Sequence, residues 1–354
     1  MIAGHDLGEE QERFFLETAQ RFLLCADSVQ IRLAPAKFAA ICRKYKDIHV
    51  RLGSPRKAVS PLQSACLRLQ PAPDVLTPVH ADLLQVCLLS KFYGVALPLV
   101  DQGHLGIVDP KKTGLNVKDF LLYSYYGGMV LVGEKKFSRA LEFFLNALTV
   151  PASALSAIMI ASYKKYILVC LLLHGDVPPI PEYTSPVVRR TVGNHCSEYL
   201  DLLKAFANLD MKKLKELLQA HQSVFEKDHN WGLAKQCIRC LQKRVVQRLT
   251  QTYLTLSLQD LAEAAQIEDP KVAEKCVLGM IEEGEIFATI NQKDKMVSFY
   301  EDPEEYNSTD MLYSMQDKID GAIQVADRVR AVDDILSGNR DYLMNTAMAE
   351  KTYL

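Results

Sequence analysis

The hydrophobic period of this chain changes once, near residue 253, and that change limits what the chain can fold into. Before it, apolar residues recur at helical intervals; after it, short alternating runs appear between further helical stretches. From Leu76 to Leu99 the helical interval is carried by Val79, Leu83, Leu84, Val86, Cys87, Leu88, Val95, Leu97 and Leu99. Residues 118–134 and 136–149 predict a helix pair broken at Gly133 and Glu134. Residues 153–174 predict another helix, stopped by Gly175 and the prolines Pro178, Pro179 and Pro181. Proline removes a donor and clashes with the preceding turn, while glycine takes left-handed dihedrals cheaply. Both fall between helical stretches here, as a train of antiparallel hairpins requires.

A weak internal repeat points the same way. Ala58, Ala96 and Ala140, 38 and 44 residues apart, each sit in the second helix of a pair. The third copy is the clearest: Gly128, Ala140, Phe144, Ala147 and Pro151 have the small-and-aromatic spacing of a tetratricopeptide-like hairpin. Small residues let two helices approach, and the aromatic ring fills the gap behind them. The expected fold class is mainly α: an irregular helical-repeat solenoid in which each hairpin buries its apolar face against its neighbour. Residues 199–207 and 210–220 add a short pair. The helix from Asn230 to about Tyr253 carries Leu233, Cys237, Leu241, Val245 and Leu249 on one stripe and Lys235, Arg239 and Lys243 on another.

Beyond the change of period, residues 253–256 read as a short strand and Ser257 as the cap of the helix that follows. Asp269-Pro270 starts a second helix and Gly284 ends it. Ile286, Ala288 and Ile290 alternate with Phe287 and Thr289; after a turn at Gln292–Lys295, Val297 and Phe299 alternate with Met296, Ser298 and Tyr300. Helix, strand, helix, helix, strand, turn, strand is the order of a winged helix. Its expected core is Leu258, Leu261, Val272, Val277, Met280, Ile281, Ile286 and Phe299. The last strand is expected to pair on one side only, leaving a free edge at Met296–Tyr300 for strand addition by another chain. Phe287, Met296, Val297, Ser298, Phe299 and Tyr300 are therefore candidate interaction residues.

One long helix ends the pattern. Leu312, Met315, Ile319, Ala322, Ala326 and Val329 step 3, 4, 3, 4, 3, a heptad seam. No segment of matching length stands beside it in sequence, so these six residues are expected to pack on another chain. Folding back on the solenoid is the alternative. Gly338 ends the helix, and residues 339–354 read as a tail.

Composition narrows the function. With 354 residues, 49% of them apolar, there is ample material for a core. Forty-one Lys and Arg against 43 Asp and Glu give a net charge of -2, so no whole-chain attraction to nucleic acid or an anionic membrane is expected. The longest apolar run, Ile167–Leu173, falls far short of the ~18 residues of a membrane span. The start, MIAGHDLGEE, has no secretory pattern, and nine scattered cysteines read as reduced core thiols. No phosphate loop, GxGxxG, HExxH or GxSxG spacing occurs, so neither enzyme activity nor a cofactor is expected. Cys237-x-x-Cys240 lies mid-helix with no second pair near it, and reads as a core cysteine and its neighbour. Many winged helices bind DNA, but Ser257–Glu305 holds 13 acidic and 4 basic residues, which repels a duplex. Residues 204–251, with 10 basic and 4 acidic, read as a solvated face or a surface that steers acidic partner subunits, with RNA contact the weaker alternative.

A solenoid running into a winged helix and a long terminal helix resembles the PCI domain, shared by the proteasome lid, the signalosome and a translation initiation factor. Within that group YSYYGGM (123–129), YKKYILVCLLL (163–173), LTQTYLTLSLQDLAE (249–263) and GEIFATINQKDKMVSF (284–299) are similar to the third-subunit family of the COP-nine signalosome. The likeness covers most of residues 75–335. It implies N-terminal helical repeats over 1–136, a PCI domain over 137–305 (helical part 137–251, winged helix 252–303), and a terminal helix and tail over 306–354. It also implies a non-catalytic scaffold whose partners are other PCI and metalloprotease-type subunits. Cullin-RING ligases would be met indirectly, with no membrane and no direct nucleic acid, in cytoplasm and nucleus. A scaffold subunit of the proteasome lid or of the initiation factor is the alternative, and a nucleic-acid-binding winged helix a weaker one.

Overall fold

The computed structural model describes residues 8–72, 75–101, 110–267, 269–301, 308–340 and 342–344. Among the described residues the chain opens with α1 (Glu9–Cys25), α2 (Ser28–Leu33), α3 (Pro35–Arg51), α4 (Arg56–Leu69), α5 (Pro78–Leu89), α6 (Tyr93–Asp101) and α7 (Pro110–Thr113). The middle holds α8 (Val117–Gly133), α9 (Phe137–Thr149), α10 (Ala157–Leu173), α11 (Pro186–Thr191), α12 (Ser197–Ala207), α13 (Met211–Ala220), α14 (Gln222–Lys227) and α15 (Trp231–Thr250). Then come β1 (Thr255–Ser257), α16 (Leu258–Ala264), α17 (Pro270–Glu282), β2 (Ala288–Asn291), β3 (Met296–Phe299) and α18 (Thr309–Ser337).

Helices α3 and α4, α5 and α6, and α8 and α9 pack as consecutive pairs. Ala58, Ala96 and Ala140, one in the second helix of each pair, are all fully buried. The α8–α9 pair shows why the repeat uses small residues. A Cβ on Gly128 would lie 2.6 Å from the Phe144 ring, and one on Gly127 would lie 2.7 Å from the Phe143 ring. Phe144, Ala140 and Ala147 are fully buried behind that contact. The expected boundary at 136/137 falls in the turn of this hairpin.

One apolar core runs from Ala19 to Leu241. A second, from Val246 to Phe299, fills the winged helix. Helix α15 belongs to both: Ala234, Cys237 and Leu241 lie in the first and Val246 in the second.

Several buried polar groups of the solenoid are paired across helices. Lys46 on α3 meets Asp82 on α5 at 3.0 Å, and Arg43 meets Asp119 on α8 at 2.7 Å. Lys165 on α10 donates to Asn230 Oδ1 at 2.6 Å, and the Asn230 amide donates to the Tyr199 hydroxyl on α12 at 2.9 Å. At the start of α5, the Thr77 N–H donates to His80 Nδ1 at 3.1 Å. Burial pushes this imidazole down to a pKa of about 4, so it sits neutral.

The winged helix follows the expected order. The Ser257 hydroxyl accepts from the Asp260 N–H, the Asp269 carboxylate accepts from the Lys271 N–H, and Gly284 follows α17 with φ of +70°. Seven of the eight expected core residues pack in this second cluster, Ile281 only partly buried. Val272 does not: it is 54% exposed. Ala273, Val277 and Met280 form the inward stripe of α17, and their neighbour Val272 is turned about 100° away from it.

Candidate assembly surfaces

The three strands form one antiparallel sheet in the order β1-β3-β2. This overturns the expected free edge at Met296–Tyr300. β3 is the central strand, with Val297 opposite both Leu256 of β1 and Ile290 of β2. The Phe299 N–H donates to the Leu254 carbonyl on one side, and the Tyr300 N–H donates to the Phe287 carbonyl on the other. Val297 and Phe299 point into the core and are buried, whereas Met296 and Ser298 are half-buried on the opposite face and Tyr300 is exposed. The turn that joins β2 to β3 is an Asx turn, with Asn291 Oδ1 accepting from the Lys293 N–H at 3.1 Å.

The outer strand on the turn side is β2. Antiparallel pairing alternates. Because Phe287 faces Tyr300 in a bonded pair, Thr289 and Asn291 bond inward and the backbone groups of Ala288 and Ile290 face out. Phe287, just before this strand, is 37% exposed. The strands lie at 255–257, 288–291 and 296–299, within two residues of the expected 253–256, 286–290 and 296–300, but the edge is β2 rather than β3.

Helix α18 is the second surface. At 29 residues it is roughly 43 Å long, and among its described residues none is buried. Leu312, Met315, Ile319 and Val329 are 54–64% exposed, and Ala322 and Ala326 are exposed with them. Folding back on the solenoid does not occur. The apolar stripe is also wider than the six-residue seam, because Ile323, Val325, Val332 and Ile335 are exposed as well. Val325 and Val332, seven residues apart, flank the seam on one side and Ile323 flanks it on the other. A strict seam suits one partner helix, and a broadened one suits a helix held among several.

Between the two cores, Lys243 of α15 meets Glu283 and, at 3.1 Å, Glu285. Desolvation opposes the Lys243 charge, but the two carboxylates outweigh it and raise its pKa. The hydrogen bond from Lys243 lowers that of Glu283. The cysteine pair on α15 is structural. Cys237 is fully buried, and the Cys240 thiol donates to the carbonyls of Leu171 and Leu172 at the end of α10. Burial raises the pKa of both. Among the described residues no three His, Cys, Asp or Glu side chains group as metal ligands, and no helix is long and apolar enough to cross a membrane.

Two family models match the sequence: "COP9 signalosome complex subunit 3, N-terminal helical repeats" over residues 4–188, and "PCI domain" over residues 218–301. The chain is similar to a Dictyostelium discoideum protein named COP9 signalosome complex subunit 3, at 36% identity over 351 residues, 99% of this chain and 83% of that one. It is similar to the Arabidopsis thaliana protein of the same name, at 38% identity over 348 residues, 98% of this chain and 80% of the relative. The likeness reaches almost to the first residue, well beyond the motif strings that suggested it.

Proposed function

This chain belongs to the family of COP9 signalosome complex subunit 3, and from that premise we propose that it is a non-catalytic scaffold subunit of a signalosome, a complex that deneddylates cullin-RING ubiquitin ligases through a different, metalloprotease-type subunit. The observation that carries this reading is α18, a helix with a broad apolar stripe and no buried residue. Such a stripe is completed by other helices or it aggregates. The open edge of β2 supplies a second contact, through the outward backbone of Ala288 and Ile290 with exposed Phe287 beside it. In this reading the direct partners are other PCI and metalloprotease-type subunits, cullin-RING ligases are reached only through them, and the subunit works in cytoplasm and nucleus. The acidic winged helix keeps nucleic acid away.

The test is co-purification of the tagged full chain with its partner subunits, read by sizing and mass spectrometry. Ile319→Asp with Ala326→Asp places two charges in the stripe and is expected to detach the chain from the complex. Ala288→Pro removes one outward donor without touching the ladder to β3, and is expected to weaken the winged-helix contact alone. A complex of unchanged size and composition with the double Asp variant would refute the helix as the assembly element.

A further inference from the structure

The linker from α10 to α11 contains a segment that neither core nor assembly surface explains. Residues 177–181, Val-Pro-Pro-Ile-Pro, belong to no helix, strand or turn. Proline fixes φ near −65° at positions 178, 179 and 181. A residue that precedes proline is pushed into the extended region, which covers 177, 178 and 180. Local sterics therefore favour extended, polyproline-II-like backbone from 177 to 180, up to the turn that Pro181 opens.

That helix has three residues per turn, so Val177 and Ile180 share one side and Pro178 and Pro181 another. Val177 and Ile180 are half-buried against the solenoid core and Pro181 is half-buried too, which leaves Pro178 and Pro179 as the exposed prolines. Both ends are tied down. The Asp176 carboxylate accepts from the Val177 N–H at 2.8 Å, the Thr184 N–H donates to the Pro181 carbonyl at 3.0 Å, and the Ser185 hydroxyl donates to the Ala152 carbonyl at 2.6 Å. Among the described residues nothing donates to the carbonyls of Val177, Pro178, Pro179 or Ile180. The segment is a preformed ligand: extended, anchored along one side, with its acceptors free.

We infer that residues 177–181 are a docking ligand for a partner domain whose aromatic-lined groove reads polyproline-II segments. Ring faces of the groove pack on the exposed prolines, and its tyrosine and tryptophan donors take the free carbonyls. Preorganisation lowers the entropy such binding must overcome. The flanks select the groove's charge. Asp176 and Glu182 are acidic, and no Lys or Arg occurs between Lys165 and Arg189, so the fitting groove has a basic rim. This site lies apart from the assembly surfaces, and its failure would leave the signalosome reading untouched.

The experiment titrates two isotope-labelled domains with the full chain: a WW domain with Lys and Arg around its groove, and an SH3 domain with an acidic rim. Saturable shifts are expected for the WW domain, weakened at least tenfold by Pro178→Ala with Pro179→Ala. If that double variant fails to fold, Glu182→Arg, at an exposed position outside the segment, is expected to weaken the same binding several-fold. The inference falls if neither domain binds saturably, if the variants bind as tightly as the parent, or if the acidic-rimmed domain binds as well as the basic-rimmed one.

Discussion

The solenoid and α18 use the same apolar residues to opposite ends. In the solenoid, Phe144 fills the space left by Gly128 and is fully shielded from water. On α18, Ile319 lies on an equally regular apolar stripe and stays 59% exposed. One region covers its apolar residues within its own chain; the other leaves them open to water. Truncation separates them most sharply. Phe144→Ala is expected to lower the unfolding free energy by about 3–5 kcal/mol, because it removes a large ring and leaves a cavity. Ile319→Ala is expected to change it by no more than about 0.5 kcal/mol in the lone chain. Urea unfolding of both variants checks this, and comparable losses at the two sites would break the comparison.

A smaller effect distinguishes the interior by its protons. His80 is neutral when folded, with a pKa of about 4 against 6.5 for the free side chain. The unfolded chain takes a proton there as pH falls below 6.5, and the folded chain refuses it until about 4. Stability present above the unfolded value is therefore lost across that window, by roughly 3 kcal/mol in total. Urea midpoints for the parent and His80→Gln at pH 7.5 and pH 4.5 give the contribution by difference. A gap between the two proteins that is the same at both pH values would rule His80 out as its source.

What was legible in the sequence was what is decided locally. Ser257, Asp269 and Gly284 mark helix ends through contacts within a few residues, and each does so in the fold. The glycine–aromatic pairing of α8 and α9 was legible because a hairpin keeps the partners close in sequence. The sheet order was not. Whether β3 is an edge or a centre depends on β1, some forty residues upstream, returning to pair beside it, and no local pattern carries that. The phase of α17 was misjudged at Val272 for a related reason. A valine at the start of a helix can extend the inward stripe or flank it, and only the packed neighbours decide. The cross-helix pairs of Lys46 with Asp82 and Lys165 with Asn230 join residues 36 and 65 apart, so periodicity could not find them. The full width of the α18 stripe could have been found. Val325 and Val332 repeat at seven beside the seam, a signal that the strict heptad count does not include.

The smallest expected effect lies at the joint between the two cores. Lys243 with Glu283 and Glu285 ties the winged helix to α15, but α15 itself runs unbroken from one core into the other. The helix should hold the winged module in place and the ion pairs should only trim it. Lys243→Ala is expected to cost at most about 1 kcal/mol, since the group is partly exposed and screened by water and salt. The sign with pH follows from Glu283, whose folded pKa lies below its ordinary 4.5. Its contribution is present above about 4.5 and is lost as pH falls through the lowered folded value. At the other extreme, Lys243, raised above 10.5, keeps its charge in the fold until strongly alkaline pH. A double-mutant cycle of Lys243→Ala with Glu283→Gln, run at low and at high salt, measures the coupling. A coupling energy of several kcal/mol, unmoved by salt, would make the ion pair rather than the shared helix the element that fixes the winged module, and would place the division between self-sufficient and dependent regions at residue 243 instead of beyond the sheet.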